Sequence, residues 1–149
     1  MGGGCGYLPG LMQHILVVSP HRASRDLLQR FLAEPEVKVR AAEDADAALS
    51  SIASAPPAVV VVDLRRPDED HPLFLALLRK RYPSQPVIAL VPGSLRVFDG
   101  AHERVRDMRS FSAESAEGLH QLLYALKEAL EEVLAQHLLR VFRTPVGQA

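Results

Sequence analysis

The sequence predicts a doubly wound α/β domain: a parallel sheet of five strands, the fifth a brief edge strand, held between two layers of helix, with the last helix extended. Three observations predict it. Short β-branched runs alternate with segments whose apolar residues return at helical spacing, which implies right-handed crossovers and a parallel sheet. One run, Ala58-Val59-Val60-Val61-Val62, is apolar without a break, as a strand covered on both faces must be. The 149 residues, 48% hydrophobic and 23% charged, suffice for one core and are too apolar for a disordered chain.

A Gly/Pro-rich leader over residues 1–12 precedes His14-Ile15-Leu16-Val17-Val18, a buried strand closed by Ser19-Pro20. Ser24 is positioned to cap a helix from Arg25 to Ala33, where Leu27, Leu28, Phe31 and Leu32 recur before Pro35. Val37-Lys38-Val39-Arg40 alternates like a half-exposed strand. Asp44 or Asp46 caps a second helix carrying Ala47, Ala48, Leu49 and Ile52 inward, and Pro56-Pro57 ends it. After the Ala58–Val62 strand, Asp63 stands at the carboxyl end.

A helix near Pro72 to Tyr82 follows, with Phe74, Leu75, Leu77 and Leu78 as its stripe. Pro86 to Val91 is a fourth buried strand, turned by Pro92-Gly93. Ser94 to Arg104 holds few regularly spaced apolar residues and predicts a short or frayed helix, with Val105 to Met108 as the edge strand. From about Ser115 to Phe142 a strong helical pattern returns until Thr144-Pro145. The domain thus spans 13–143, with a tail over 144–149.

A net charge of −1 supplies no field toward nucleic acid or an anionic membrane, and neither is expected as a partner. The single cysteine, Cys5, excludes an internal disulfide and fits a reducing compartment. The first ten residues hold neither a basic segment nor an apolar run, and no apolar run approaches the roughly 20 residues of a membrane span, so a cytoplasmic protein is expected. His14, His21, His71, His102, His120 and His137 lack the close paired spacing of a zinc site. No nucleophile motif or glycine-rich phosphate loop is present, so neither an enzyme nor a cofactor is expected.

Ligands in such sheets sit beyond the carboxyl ends of the strands. The rim residues are Ser19, Pro20, Asp63, Val91 and Arg109. The run Val59-Val60-Val61-Val62-Asp63-Leu64-Arg65-Arg66-Pro67 resembles the phosphoacceptor strand and loop of response-regulator receiver domains, a likeness that extends from about His14 to Leu126 and includes Glu43 to Leu49. It implies the flavodoxin-like version of the fold, with Asp63 at the acceptor position. Against that family the chain departs at three places. Ser19 and Pro20 replace the paired acids that hold magnesium; Val91 replaces the switch hydroxyl; and Arg109-Ser110 stands where a lysine and a proline are usual.

Magnesium wants oxygen ligands, and proline offers none. Without the cation, charge building on a transferred phosphoryl group goes unneutralised. The resemblance therefore implies a degenerate receiver that signals through an unidentified protein partner, with Asp63 satisfied by backbone amides or by Arg109. An atypical phosphorelay regulator phosphorylated on Asp63, its metal held by Asp68 or Asp70, is the alternative. A small-molecule-binding rim is the third reading. Asp68-Glu69-Asp70 otherwise reads as a solvated turn that caps the next helix.

Receiver domains end their last helix near Leu130, whereas the stripe here runs on through Leu134, Leu138 and Val141. A short sheet leaves part of about 40 Å of helix uncovered. Leu130, Val133, Leu134, Leu138, Val141 and Phe142 are thus the expected interface of a homodimer, together with the face of the fourth helix and fifth strand.

Overall fold

The structure is a computed structural model that describes residues 13–65, 70–100, 102–107 and 116–147, without the side chains of 70–72, 116, 117 and 141–147. The leader with Cys5, the loop residues Asp68 and Glu69, and Arg109 lie outside the described residues.

In chain order the elements are β1 (Gln13–Val18), α1 (Arg22–Leu32), β2 (Val37–Ala42), α2 (Ala45–Ser54), β3 (Val59–Asp63), α3 (Asp70–Arg81), β4 (Val87–Val91), β5 (Ser94–Asp99), β6 (His102–Asp107) and α4 (Ala116–Gly147). They form one sheet in the order β2-β1-β3-β4-β5-β6. The first four strands of that order are parallel, with Leu16 beside Val60 and Asp63 beside Leu90. Side chains alternate between the faces, as the period of two requires. Ile15, Val17, Val59, Val61, Ile88 and Leu90 pack under α1 and α4. Leu16, Val18, Val60, Val62, Val87 and Ala89 pack under α2 and α3. Every residue of β3 is buried, which is why its sequence shows no alternation.

Two helix starts follow different rules. Asp44 caps α2 by accepting from the Ala47 amide at 2.8 Å, with Asp46 in the first turn where the helix dipole favours a negative charge. Helix α1 is capped at His21 and not at Ser24, which lies inside the helix. His21 contributes no side-chain cap; its own amide donates to Ser19 Oγ at 3.3 Å, so the chain turns into α1 on the hydroxyl that ends β1. Along α3, Phe74 and Leu78 are buried, whereas Leu77 and Leu73 face outward.

The sheet departs from expectation beyond β4. Residues 94–99 form no helix but the antiparallel strand β5, and the edge strand expected at Val105 to Met108 is β6, also antiparallel to its neighbour. The sheet has six strands, and β6 stands one place further out than a five-stranded parallel sheet would set it. Two turns force this. Pro92-Gly93, with Gly93 at φ 77, folds Val91 directly against Ser94, and Gly100 at φ 64 opens the turn that pairs Asp99 with His102. Positive φ at such points is what glycine provides without strain.

Helix α4 counts 32 residues, about 48 Å. The helix passes through Thr144-Pro145, where the sequence predicted its end, to Gly147. The extra strands give this helix more sheet to cover. Leu122, Leu126, Ala129, Leu130 and Val133 are buried on it, with Leu95 and Val97 of β5 in the same cluster. Leu130 and Val133, expected on an interface, are therefore core residues. The helix is also tied along the sheet edge by Arg106–Glu128, Arg104–Glu132 and Arg140–Asp99 pairs at 2.8, 3.1 and 3.2 Å. All but Asp99 are more than half exposed, so each pair adds at most about 1 kcal/mol. Among the described residues no helix is long and apolar enough to cross a membrane.

Candidate functional site

The parallel strands put Ser19, at the exit of β1, beside Asp63, the last residue of β3. Both are buried, at 0% and 4% exposure. An ionised carboxylate at that depth must find donors, and Asp63 finds four. Arg65 grips it as a fork, Nε donating to Oδ1 and Nη2 to Oδ2, each at 2.9 Å. The Arg65 backbone amide donates to Oδ1 at 3.1 Å, and Ser19 Oγ donates to Oδ2 at 3.3 Å. Each carboxylate oxygen thus accepts one bond from the guanidinium and one from elsewhere.

Arg65 is held in turn. Its Nη2 also reaches Ser24 Oγ at 3.4 Å, and its side chain is only 19% exposed. Arg25 of α1 donates through Nη1 to the Ser19 carbonyl at 2.9 Å and stands 4.0 Å from Glu43, fastening the turn after β1 from the helix side. Burial by itself would push the Asp63 carboxyl up; the Arg65 hydrogen bonds and charge, with the Ser19 hydroxyl, overcome it and hold the group below the usual carboxylate range. The same pairing raises Arg65 above its ordinary value against the opposing effect of burial.

Of the rim residues expected from sequence, Ser19 and Asp63 are brought into contact. Val91 closes β4, half-buried and paired with Ser94, and Pro20 is half-buried beside Ser19. The cation on Asp63 is Arg65, not Arg109. Arg109 lies outside the described residues. Arg65 had a signal that sequence reading passed over: an arginine two residues beyond a buried aspartate can fold back on it through a two-residue turn, and the amide of the same residue joins in.

A magnesium ion, implied by the resemblance, does not fit this donor set. The described rim offers one buried carboxylate, already covered by a guanidinium, and a serine hydroxyl that points its proton at that carboxylate. Hard divalent cations need several free oxygens. Among the described residues no group of three or more His, Cys, Asp or Glu could hold a metal. Asp70 opens α3, but its side chain is not among those described.

The structure is a doubly wound α/β sheet whose central strand β3 ends on a buried acid at the carboxyl-end rim, where such sheets hold their sites. The family model described as "Response regulator receiver domain" matches residues 15–97, more than half of the chain, and the chain belongs to that family. The match stops inside β5.

Several solved structures are similar. The receiver domain of NtrX from Brucella abortus is 32% identical, with 50% of this chain and 64% of that one covered and a TM-score of 0.46. The apo receiver domain of nitrogen regulatory protein C is 29% identical, covering 53% and 64%, with a TM-score of 0.47. TrrA from Thermotoga maritima, in complex with Mg(2+)-BeF, is 28% identical, covering 54% and 70%, with a TM-score of 0.48. The chain spans less than two thirds of the two receiver domains named first, and 18% of a longer NtrX chain. No curated protein sequence matches it significantly.

Proposed function

We propose that this chain is a pseudo-receiver: a receiver-family signalling domain that works through protein contacts without magnesium-dependent phosphorylation of Asp63. One observation carries the reading. The Arg65 fork occupies both oxygens of Asp63 in a buried site. For Asp63 to accept a phosphoryl group, an oxygen must shed two donors and present a lone pair in line, while a cation neutralises the incoming charge. Arg65 already supplies positive charge, but it spends that charge on the ground-state carboxylate. Ser19 and Pro20 furnish no carboxylate for a metal, and Val91 has no hydroxyl for a phosphoryl oxygen.

Intact-mass measurement after incubation with acetyl phosphate or beryllofluoride and magnesium tests this. The unmodified mass is expected, for the wild type and for Asp63→Asn alike. A stoichiometric adduct that vanishes in Asp63→Asn would support the phosphorelay alternative instead.

The contact surface we assign is the outer side of α4, with a second copy of the chain as its partner. A groove of about 300 Å³ runs between α4 and the junction of α1 with β2, its apolar floor made by Leu32, Val37, Leu130, Leu134 and Leu138 and its lining completed by Glu34, Glu36, Glu131 and Lys127 among others. Leu134 and Leu138 are only partly buried, and Leu139 is 48% exposed. Beyond Arg140 the helix extends a further seven residues, about 10 Å; Val141 and Phe142 lie there, their side chains not among those described.

The edge strand β6 is a poor seat for the same partner. Antiparallel self-pairing that keeps every side chain on its own face sets Glu103 against Glu103, Arg104 against Arg104, Arg104 against Arg106, or Arg106 against Arg106, and like charges directly opposite one another repel. Light scattering at high micromolar concentration is expected to give a dimer mass, and Leu134→Glu combined with Leu138→Glu a folded monomer. A monomeric wild type at that concentration removes the dimer from the proposal.

A further inference from the structure

At the end of the sheet opposite Asp63, where β3 and β4 begin, a cleft of about 640 Å³ opens between the α2–β3 and α3–β4 connections and the far part of α4. Its size is that of a site for a nucleotide-sized molecule, well above what a bare inorganic ion fills. Pro56, Pro57, Pro83 and Pro86 contribute to its walls. Four prolines restrict the backbone there, so little conformational freedom is left to lose when a ligand arrives.

The chemistry of the lining has one sign. Arg81, Arg140 and His137 contribute to it, and among the described residues no aspartate or glutamate does. Tyr82 adds an aromatic ring with a hydroxyl, and Gln85 an amide. Nη1 and Nη2 of Arg140 both donate to Asp99 Oδ1 at 3.2 Å, and Asp99 is not among the lining residues. Burial, and after it the charge of Arg140, hold His137 below the usual histidine range. A last-turn position explains Arg81 through the dipole of α3, and the pair with Asp99 positions Arg140, so two cations from different helices line the same cleft.

We propose that this cleft binds an organic phosphate with a flat apolar body. The phosphate is held by Arg81 and Arg140, and the flat body lies on the proline walls and Tyr82. Guanidinium groups suit a phosphate because each can offer two parallel N–H donors, and a planar body gains stacking without ordering flexible walls. The site is independent of Asp63 and Arg65, so it stands or falls separately from the pseudo-receiver reading.

Calorimetric titration of the full chain with adenosine 5′-monophosphate tests the proposal, with adenosine and ribose 5-phosphate as probes that lack the charge or the flat body. Saturable binding of the nucleotide is expected, at least tenfold weaker for either fragment and at least tenfold weaker in Arg81→Ala and Arg140→Ala. Thermal melts of both variants establish that they fold. His137 ring resonances are expected to shift on binding while the Ser19 and Asp63 amides do not. Absence of nucleotide binding overturns the proposal, as does equal affinity for adenosine or an affinity untouched in both folded variants.

Discussion

Val133→Asp is expected to unfold the chain and not to yield a stable monomer. Val133 is 0% exposed and sits in the cluster that α4 shares with α1 and five strands of the sheet. An aspartate there has no described cation beside it, and the effective cost of burying an unpaired charge is several kcal/mol. Set against a total stability of roughly 5 to 15 kcal/mol for a domain, a loss of about 4 kcal/mol or more removes most or all of it. Far-UV circular dichroism against urea measures this directly, with a midpoint near zero denaturant as the outcome. Leu139→Asp, on the same helix but 48% exposed, is the control and shifts stability by no more than about 0.5 kcal/mol. A Val133→Asp chain that melts like the wild type but has half its mass in solution would falsify the assignment of Val133 to the core.

The stripe on α4 shows why sequence alone misjudged that residue. A 3.6-residue period reports that one helix face is apolar, not what covers it. With a sheet of five parallel strands the helix outruns its cover after about Leu130, and the residues beyond look available. The inserted strand β5 brings Leu95 and Val97 under the helix, and the fully buried part of the stripe extends to Val133, with Leu134 partly buried against the same cluster. The fate of Val133 thus depended on reading residues 94–107, some thirty positions earlier.

Those residues did carry a signal. Ser94-Leu95-Arg96-Val97 alternates with period two, and the turn dipeptides Pro92-Gly93 and Asp99-Gly100 bracket it six residues apart. The burial of Leu95 and Val97 against the exposure of Arg96 follows that alternation. What hid it was the expectation of strict strand-helix alternation, which the preceding elements had satisfied without exception. The parallel half was legible for a physical reason: unbroken apolar strands such as Val59–Val62 and capped helices such as Asp44–Ser54 leave few alternatives. The rim was half legible. Asp63 and Ser19 follow from strand ends, whereas the fork of Arg65 depends on a local turn whose conformation no periodicity encodes.

Arg65→Ala is expected to destabilise the domain by about 3 kcal/mol, because it strips the cation from a carboxylate whose side chain is 3% exposed. For a chain of this size that is a fall of roughly 9 °C in Tm. Ser19 Oγ and the backbone amide of residue 65 remain as donors, but two neutral donors do not compensate a buried charge. The double variant Asp63→Ala/Arg65→Ala is expected to recover about 2 kcal/mol, since neither partner is then left without the other. The pH dependence has a definite sign. In the wild type the folded pKa of Asp63 lies below its unfolded value near 3.9, so the stabilisation is fully present above about pH 5 and lost as pH falls through the folded pKa. In Arg65→Ala burial dominates and raises the folded pKa, so protonation on acidification relieves the variant. The two stability curves should therefore converge toward low pH and stay separated at neutral pH. Urea midpoints taken from pH 7 down to pH 4 distinguish this from a loss of packing alone, which would leave the gap between the curves independent of pH.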